Sequence, residues 1–514
     1  MKKIGFFGLV LAFIAMAIFI VSCSQPLFPD GSTHRPPPDE DEYEWDGEDI
    51  PGWNDPDNRK NVAAQLAWLR TDPLAVSGTH WNVWAWEIAP YEAIYDETIE
   101  GYNGAAITVN LLTYSGYEGL PNRRTLVLGG TALNSSMLNV QNGSRLYLGN
   151  IILQGRSNNH SNLVIVSGAG PGGVGSGLEK RSYSVIRGNT GDLSGSFGVD
   201  ARAGTYFTMR GNSRITGNHN GVIVTGARFN MMFGASITSN STWGVVLQDS
   251  STLTMSNSAH ISGHAYEGLL SNNSRIYMYN NAQIRHNANI AQALAQSGAT
   301  LNNSSVLIMR NNAGIHSNSI GIHLNNSDLF MYEYAAIHNN AYNGVRGNND
   351  SSINMYDNAS IHSNNNGGVH LQATGSNRLN MHGSYVKIRG NNSGVIPGGV
   401  ELGGNNNNNE LNISGGTIYG RYASGSNLQE PPELRNTGVS FHAVRSYNGI
   451  NLGTYSRNSN FGQHGTFTPT TTTTTPPLAP IMLPEITNTG RGTNYTVWVR
   501  GIGENENNSS VWRE

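Results

Sequence analysis

Residues 276–287 read IYMYNNAQIRHN and residues 353–364 read INMYDNASIHSN. Both keep one frame, hydrophobic-x-Met-x3-Ala-x-Ile-x2-Asn, and differ mainly in their polar letters. The frame's methionines fall at Met209, Met231, Met255, Met278, Met309, Met331, Met355 and Met381, with Ile413 standing in the last copy. Steps of 22 to 24 residues dominate, and the longer ones mark insertions near 288–297, 372–378 and 389–409. Each copy opens on a glycine, from Gly198 and Gly221 through Gly368 and Gly399, followed by a Val-x-Leu-like pair. Such self-similarity at a fixed period is the mark of a repeat array.

Within one copy, Val222-x-Val224, Phe229-x-Met231 and Ala235-x-Ile237 alternate with period two, and Asn, Gly and Ser lie between them. Period two means strands, and those spacers mean turns. Three short strands per coil of about 23 residues, stacked in register, make a parallel β-solenoid. A leucine-rich repeat would need a Leu/Asn frame and a helical half, which this sequence lacks. Energy explains the repetition. One coil buries about six apolar side chains at roughly 1.5–3 kcal/mol each, whereas fixing its backbone costs about 1–2 kcal/mol per residue. A lone coil cannot stay folded, so inward letters must recur while outward ones drift. Methionine fits the inner column because its flexible thioether fills uneven gaps. The recurring asparagines, at 218, 240, 287, 318, 340, 364 and 391, are expected at a bend, with unusual backbone angles and bonded amide rungs.

The flanks differ from the array. Lys2-Lys3, an apolar run from Ile4 to Val21, and Ser22-Cys23 form a secretory signal, and the single cysteine of the 514-residue chain sits where a lipobox places its acylated residue. Acylation at Cys23 would anchor the protein to a membrane, because several acyl chains make attachment durable; an ordinary cleaved signal is the alternative. Residues 24–60 are proline-rich and acidic and read as a disordered tether. Residues 61–70, NVAAQLAWLR, carry a helical pattern, and HWNVWAWEI after it a half-buried strand whose tryptophans pack over the core end. Residues 61–110 are therefore assigned as an N-terminal cap, 111–420 as the β-helix, and 421–514 as a C-terminal cap with a Thr/Pro loop and a terminal strand at Tyr495–Val499. Caps are needed because both ends of a solenoid expose unpaired strand edges.

The lipobox, AQLAWLR at 64–70, LYLGNIILQG at 146–155 and the coil frame together resemble the repeat surface lipoproteins of spirochaete-type bacteria. The resemblance covers most of the chain from Ala64 onward. It implies an all-β, right-handed parallel β-helix similar to that of pectate lyases, and an exported protein attached to the envelope, in the outer membrane or on the cell surface. Handedness comes from this resemblance alone. Its motifs specify a scaffold and carry no catalytic signature, and adhesion is the role usually guessed for such proteins.

Chemistry was sought on the outward columns. A net charge of −4, with only Lys180 and Lys387 after Lys60, excludes a nucleic-acid partner. Polysaccharide-cleaving β-helices need clustered carboxylates with a basic residue nearby. Acids are sparse between Asp200 and Glu410, and the best pair is Glu333 and Asp357, two residues after the methionines of adjacent coils. His316, His338 and His362 recur on three successive coils as a candidate metal column, with stacked neutral side chains as the plainer reading. Tyr279, Tyr332 and Tyr356, with Arg310 and His382 in the same column, are expected to face solvent and contact a glycan or a protein. No cofactor motif is present. The expectation is a non-enzymatic envelope lipoprotein that displays a rigid β-helix face for adhesion; a polysaccharide lyase or glycoside hydrolase is the alternative, and a ligand-free spacer a third reading.

Overall fold

The computed structural model describes residues 46–418 apart from 54–59, 86–90, 114–122, 182, 192–194, 289–295, 373, 383–384, 390, 392–398, 403–408 and 414–416, together with the strands Val444–Tyr447, Thr454–Arg457, Gly465–Thr468 and Asn494–Val497. The signal, Cys23, Trp86, Ile88 and the Thr/Pro loop lie outside the described residues.

The chain winds as a right-handed parallel β-helix of three sheets. Among the described residues two of the sheets have 14 strands and the third has 13, and after the first strand, Glu48–Asp49, each strand of these sheets pairs with the one three further along the chain. A coil passes from sheet C, which carries the Gly-Val unit, to sheet A, which carries the methionine, to sheet B, which carries Ala-x-Ile. Asn220–Thr225, Arg228–Met231 and Ser236–Thr238 make one such coil. Met209, Met231, Met255, Met278, Met309, Met331, Met355 and Met381 stand in register down sheet A, and all eight are fully buried. The isoleucines of sheet B form the facing column, with Ile215, Ile237, Ile261, Ile284, Ile315, Ile337 and Ile361 equally buried. Beside the methionines, Phe207 stacks on Phe229 with centroids 4.5 Å apart. One residue breaks the apolar column: Lys180 pairs in register between Leu148 and Met209 and is fully buried.

The repeat glycines are required by close approach. A Cβ on Gly321 would lie 2.3 Å from the Gly344 carbonyl oxygen and 2.7 Å from Ile337 Cγ2. The asparagines stand at a bend and bond as rungs, as expected, but without the unusual backbone angles. They are buried inside the corner between sheets B and C, and the left-handed residue of the bend is the one before each, as at Ser239, Ser317, Asn339 and Ser363. Asn318 Nδ2 donates to the Ile284 carbonyl and to Asn340 Oδ1, while Asn318 Oδ1 accepts from Asn287 N and Nδ2. The same pattern runs coil to coil from Asn287 to Asn391. It also absorbs a histidine that the sequence frame skipped. His264 Nδ1 accepts from Asn240 N, and its own backbone N–H donates to Asn287 Oδ1.

The helix Val62–Thr71 closes the first end, with Asn61 accepting from Ala64 N at 2.8 Å as its N-cap and Val62, Leu66 and Leu69 turned to the core. Buried Gln65 accepts from Trp84 N and donates to Trp84 O, so a side-chain amide satisfies an edge that would otherwise be open. Trp81 lies in the core and Trp84 stacks on Trp53 at 5.3 Å, the packing role expected of them. The assigned boundaries shift at both ends. Glu48–Asp49, inside the expected tether, pair with Trp81–Asn82, because Ile50 and Trp53 supply apolar surface that the proline-rich stretch before them lacks. Coils begin at His80, within the expected cap. Sheet C runs past 420 to Val444–Tyr447, where the antiparallel strand Asn494–Val497 ends the parallel ladder.

Candidate functional site

The expected tyrosine column forms a continuous stack. Arg310 Cζ lies 4.4 Å from the Tyr332 centroid, Tyr332 and Tyr356 are 4.7 Å apart, and Tyr356 and His382 are 4.8 Å apart. Each inner ring spends both faces on its neighbours, which leaves edges and hydroxyls toward solvent. Tyr279 does not face solvent. It is 5% exposed, packed with Tyr277 and Ile308 in an apolar cluster on the outside of sheet A, because the outward residues of adjacent coils here are also large and apolar.

His316, His338 and His362 also stack, with centroids 4.8 and 4.9 Å apart and planes within 10°. Two nitrogens sharing one zinc ion at about 2.1 Å each can be no more than about 4.2 Å apart. Parallel rings at this spacing do not converge on a common point. The His316 and His362 Nδ1 atoms instead meet Ser317 and Ser363 hydroxyls. Among the described residues no group of three His, Cys, Asp or Glu is arranged to hold a metal ion.

Glu333 and Asp357 occupy the left-handed position of the turn between sheets A and B, where Asn257, Asn280 and Asn311 stand on earlier coils. Asn311 N donates to Glu333 Oε2 at 2.7 Å and Glu333 N donates to Asp357 Oδ2 at 3.2 Å. Their carboxylates satisfy backbone donors of the preceding coil, so the geometry assigns them to the turn.

A different constellation stands on the outer face of sheet C. Two residues after successive repeat glycines come His323, Arg346, His370 and Glu401, in parallel register on four consecutive coils. The first three are half-buried, and Glu401 is buried. His370 Nδ1 lies 3.9 Å from Glu401 Oε2. His323 Nε2 meets Asn348 Nδ2 at 2.9 Å, which makes that nitrogen an acceptor and puts the ring proton on Nδ1. Burial, and then the Arg346 charge, push both His323 and His370 down to about 4. Both imidazoles are therefore neutral at neutral pH. Burial lowers the Arg346 guanidinium's affinity for its proton while Glu401 raises it, and Arg346 Nε has no hydrogen-bond partner among the described residues. Sequence reading passed over this cluster because it sought paired acids. The Gly-x-His, Gly-x-Arg, Gly-x-His and Gly-x-Glu series was the available signal.

No protein-family model and no curated protein matches the sequence. Solved structures do. A periplasmic alginate epimerase, AlgG, is 13% identical over 64% of this chain and 83% of its own, with a TM-score of 0.39. The A-module of the Azotobacter vinelandii mannuronan C-5 epimerase AlgE6 is 11% identical over 69% and 91%, with a TM-score of 0.36. The catalytic domain of a GH87 α-1,3-glucanase is 12% identical over 74% and 67%, with a TM-score of 0.33. At such identities the likeness concerns the winding of the chain. The class defined by the three stacked sheets is the right-handed parallel β-helix. The expectation of a protein without enzymatic activity is corrected on the chain's own geometry: sheet C carries a column of acid–base groups, with His370 beside Glu401, that the expectation overlooked.

Proposed function

We propose that the protein acts on an acidic polysaccharide as a lyase, with its site on sheet C. Abstracting the proton α to a uronate carboxylate requires a cation on that carboxylate and a neutral base beside it. The observation that carries the reading is Arg346 set between two neutral histidines, with Glu401 behind one of them. In this reading Arg346 pairs with the carboxylate and disperses the charge that develops on it. His370, its Nδ1 turned to Glu401, takes the C5 proton on Nε2. The C5–H electron pair forms the C4=C5 double bond, the C4–O4 bond breaks, and O4 leaves with a proton from water. His323 and Asn348 hold sugar hydroxyls. Retaining hydrolysis is less suited, since it calls for two carboxyl groups about 5–5.5 Å apart and this cluster has one. The lipobox at Cys23 supports export and lipid attachment to the envelope, which would bring the site to polysaccharide outside the cytoplasm.

The test is incubation with a panel of uronate and neutral polysaccharides, followed by ultraviolet absorbance of unsaturated ends. Release from a uronate polymer, abolished in Arg346→Leu and His370→Ala, is expected. Absence of both unsaturated ends and solvent deuterium at C5 across the uronates would refute it. Deuterium incorporation without cleavage would keep the proton abstraction and replace elimination with epimerisation.

A further inference from the structure

After Asp200, the outward column of sheet C that leads to the charged cluster turns largely apolar. In the same register it reads Ile223, Val246, Leu270, Thr300 and then His323. Ile223 and Leu270 are half-buried on an outer face, where sheet B at the matching coils carries Thr216, Thr238 and Ser262. An aromatic pair flanks this apolar floor on the turn that leads into the sheet. Trp243 is half-buried, Tyr266 is 41% exposed, and their ring centroids lie 6.5 Å apart. The Trp243 indole is fixed by donating from Nε1 to Glu267 Oε2 at 3.2 Å. Burial raises the Glu267 carboxyl's affinity for its proton, against hydrogen bonds from Trp243 and Thr300. An aliphatic floor with a fixed indole and a polar rim suits a sugar ring, which has an apolar face and a hydroxyl edge.

We propose that this half of sheet C is a distal sugar-binding subsite for the same polysaccharide, with Trp243 and Tyr266 as its platform. The inference rests on the proposed uronate site and adds the direction and length of the ligand. Val246 and Arg346 are four coils apart in one column, or about 19 Å at about 4.8 Å per coil. A chain lying along the solenoid axis reaches both ends only when it is several rings long. The protein should therefore favour long chains and act inside them, and its distal end should accept rings without a carboxylate.

Calorimetric titration of a graded series of uronate oligosaccharides, dimer to octamer, tests this. For the full chain, affinity is expected to step up once the ligand is long enough to reach Trp243. Trp243→Ala, and independently the exposed-site variant Tyr266→Ser, should remove that step, weakening octamer binding about 2- to 10-fold while leaving dimer binding unchanged. Arg346→Leu should weaken every length. Equal octamer affinity in wild type and both aromatic variants would overturn the subsite while leaving the Arg346 site standing. Indifference of every length to Arg346→Leu would instead overturn the uronate site.

Discussion

Replacing Lys180 by methionine should stabilise the protein, and the gain should depend on pH. Lys180 stands in the inner column between Leu148 and Met209, with its Nζ bonded to the buried Ser184 hydroxyl at 3.3 Å. Burial holds its pKa well below 10.5. Above pH 10.5 the amine is neutral in both folded and unfolded chains, and the gain from methionine is the cost of burying a neutral, poorly bonded amine, about 1–3 kcal/mol. Below that pH the unfolded chain binds a proton that the folded chain does not, so wild-type stability falls as pH falls. The slope is about 1.4 kcal/mol per pH unit, down to the folded pKa. Lys180→Met lacks this slope, so its advantage should widen by that amount between about pH 10 and about pH 9. Urea denaturation of both proteins at matched pH values, followed by circular dichroism, measures it. An advantage that does not change with pH, or a variant less stable than wild type, would mean that the ammonium is charged and compensated in the core, and would refute the reasoning.

His264, the histidine in the asparagine ladder, is held at about 4 by burial, against a usual 6.5. Its depressed folded pKa means that stability is full above pH 6.5 and is lost as pH falls from 6.5 toward 4; His264→Asn should flatten that limb by up to about 1.4 kcal/mol per unit, and coincident acid limbs would refute this. Asn318→Ala leaves Asn287 N without its acceptor and takes one of two acceptors from Asn287 Nδ2, which keeps the Ile261 carbonyl, at about 1–3 kcal/mol for the orphaned backbone donor. Asn311→Gly at the exposed turn, which keeps the left-handed backbone, should cost under about 1 kcal/mol, and thermal melts of the two variants read the contrast. Glu333→Gln and Asp357→Asn, which occupy turn positions, should leave any turnover of uronate polymers within about twofold of wild type; a loss like that of Arg346→Leu would return these acids to the catalytic site.

The solenoid was legible because every inward letter recurs. A methionine or isoleucine column can be read from one sequence once three copies are aligned on their glycines. Outward letters drift, and there the sequence misleads. Tyr279 and Tyr332 share a column and a preceding methionine, yet Tyr279 is buried, because exposure on an outer face depends on neighbours two columns away. Glu333 and Asp357 looked like a catalytic pair since they recur on adjacent coils, but they hold the left-handed turn position that Asn257, Asn280 and Asn311 hold on earlier coils, and their carboxylates serve the turn. His323, Arg346, His370 and Glu401 escaped notice because no two adjacent coils carry the same residue type there. A frame built on repetition hides a site made of four departures from it. Lys180 went unremarked as a core residue for the same reason.

The asparagine ladder also bears on how such a chain changes length over generations. Every rung presents an acceptor to the coil before it and donors to the coil after, so removing or duplicating one whole coil rejoins surfaces that already match. Unequal crossing-over between near-identical repeats would lengthen or shorten the solenoid in increments of about 4.8 Å without creating a new kind of junction. Copies gained between Tyr266 and Arg346 would move the tryptophan end away from Arg346 one rung at a time, making the spacing between the two a heritable ruler for the polymer proposed to lie there.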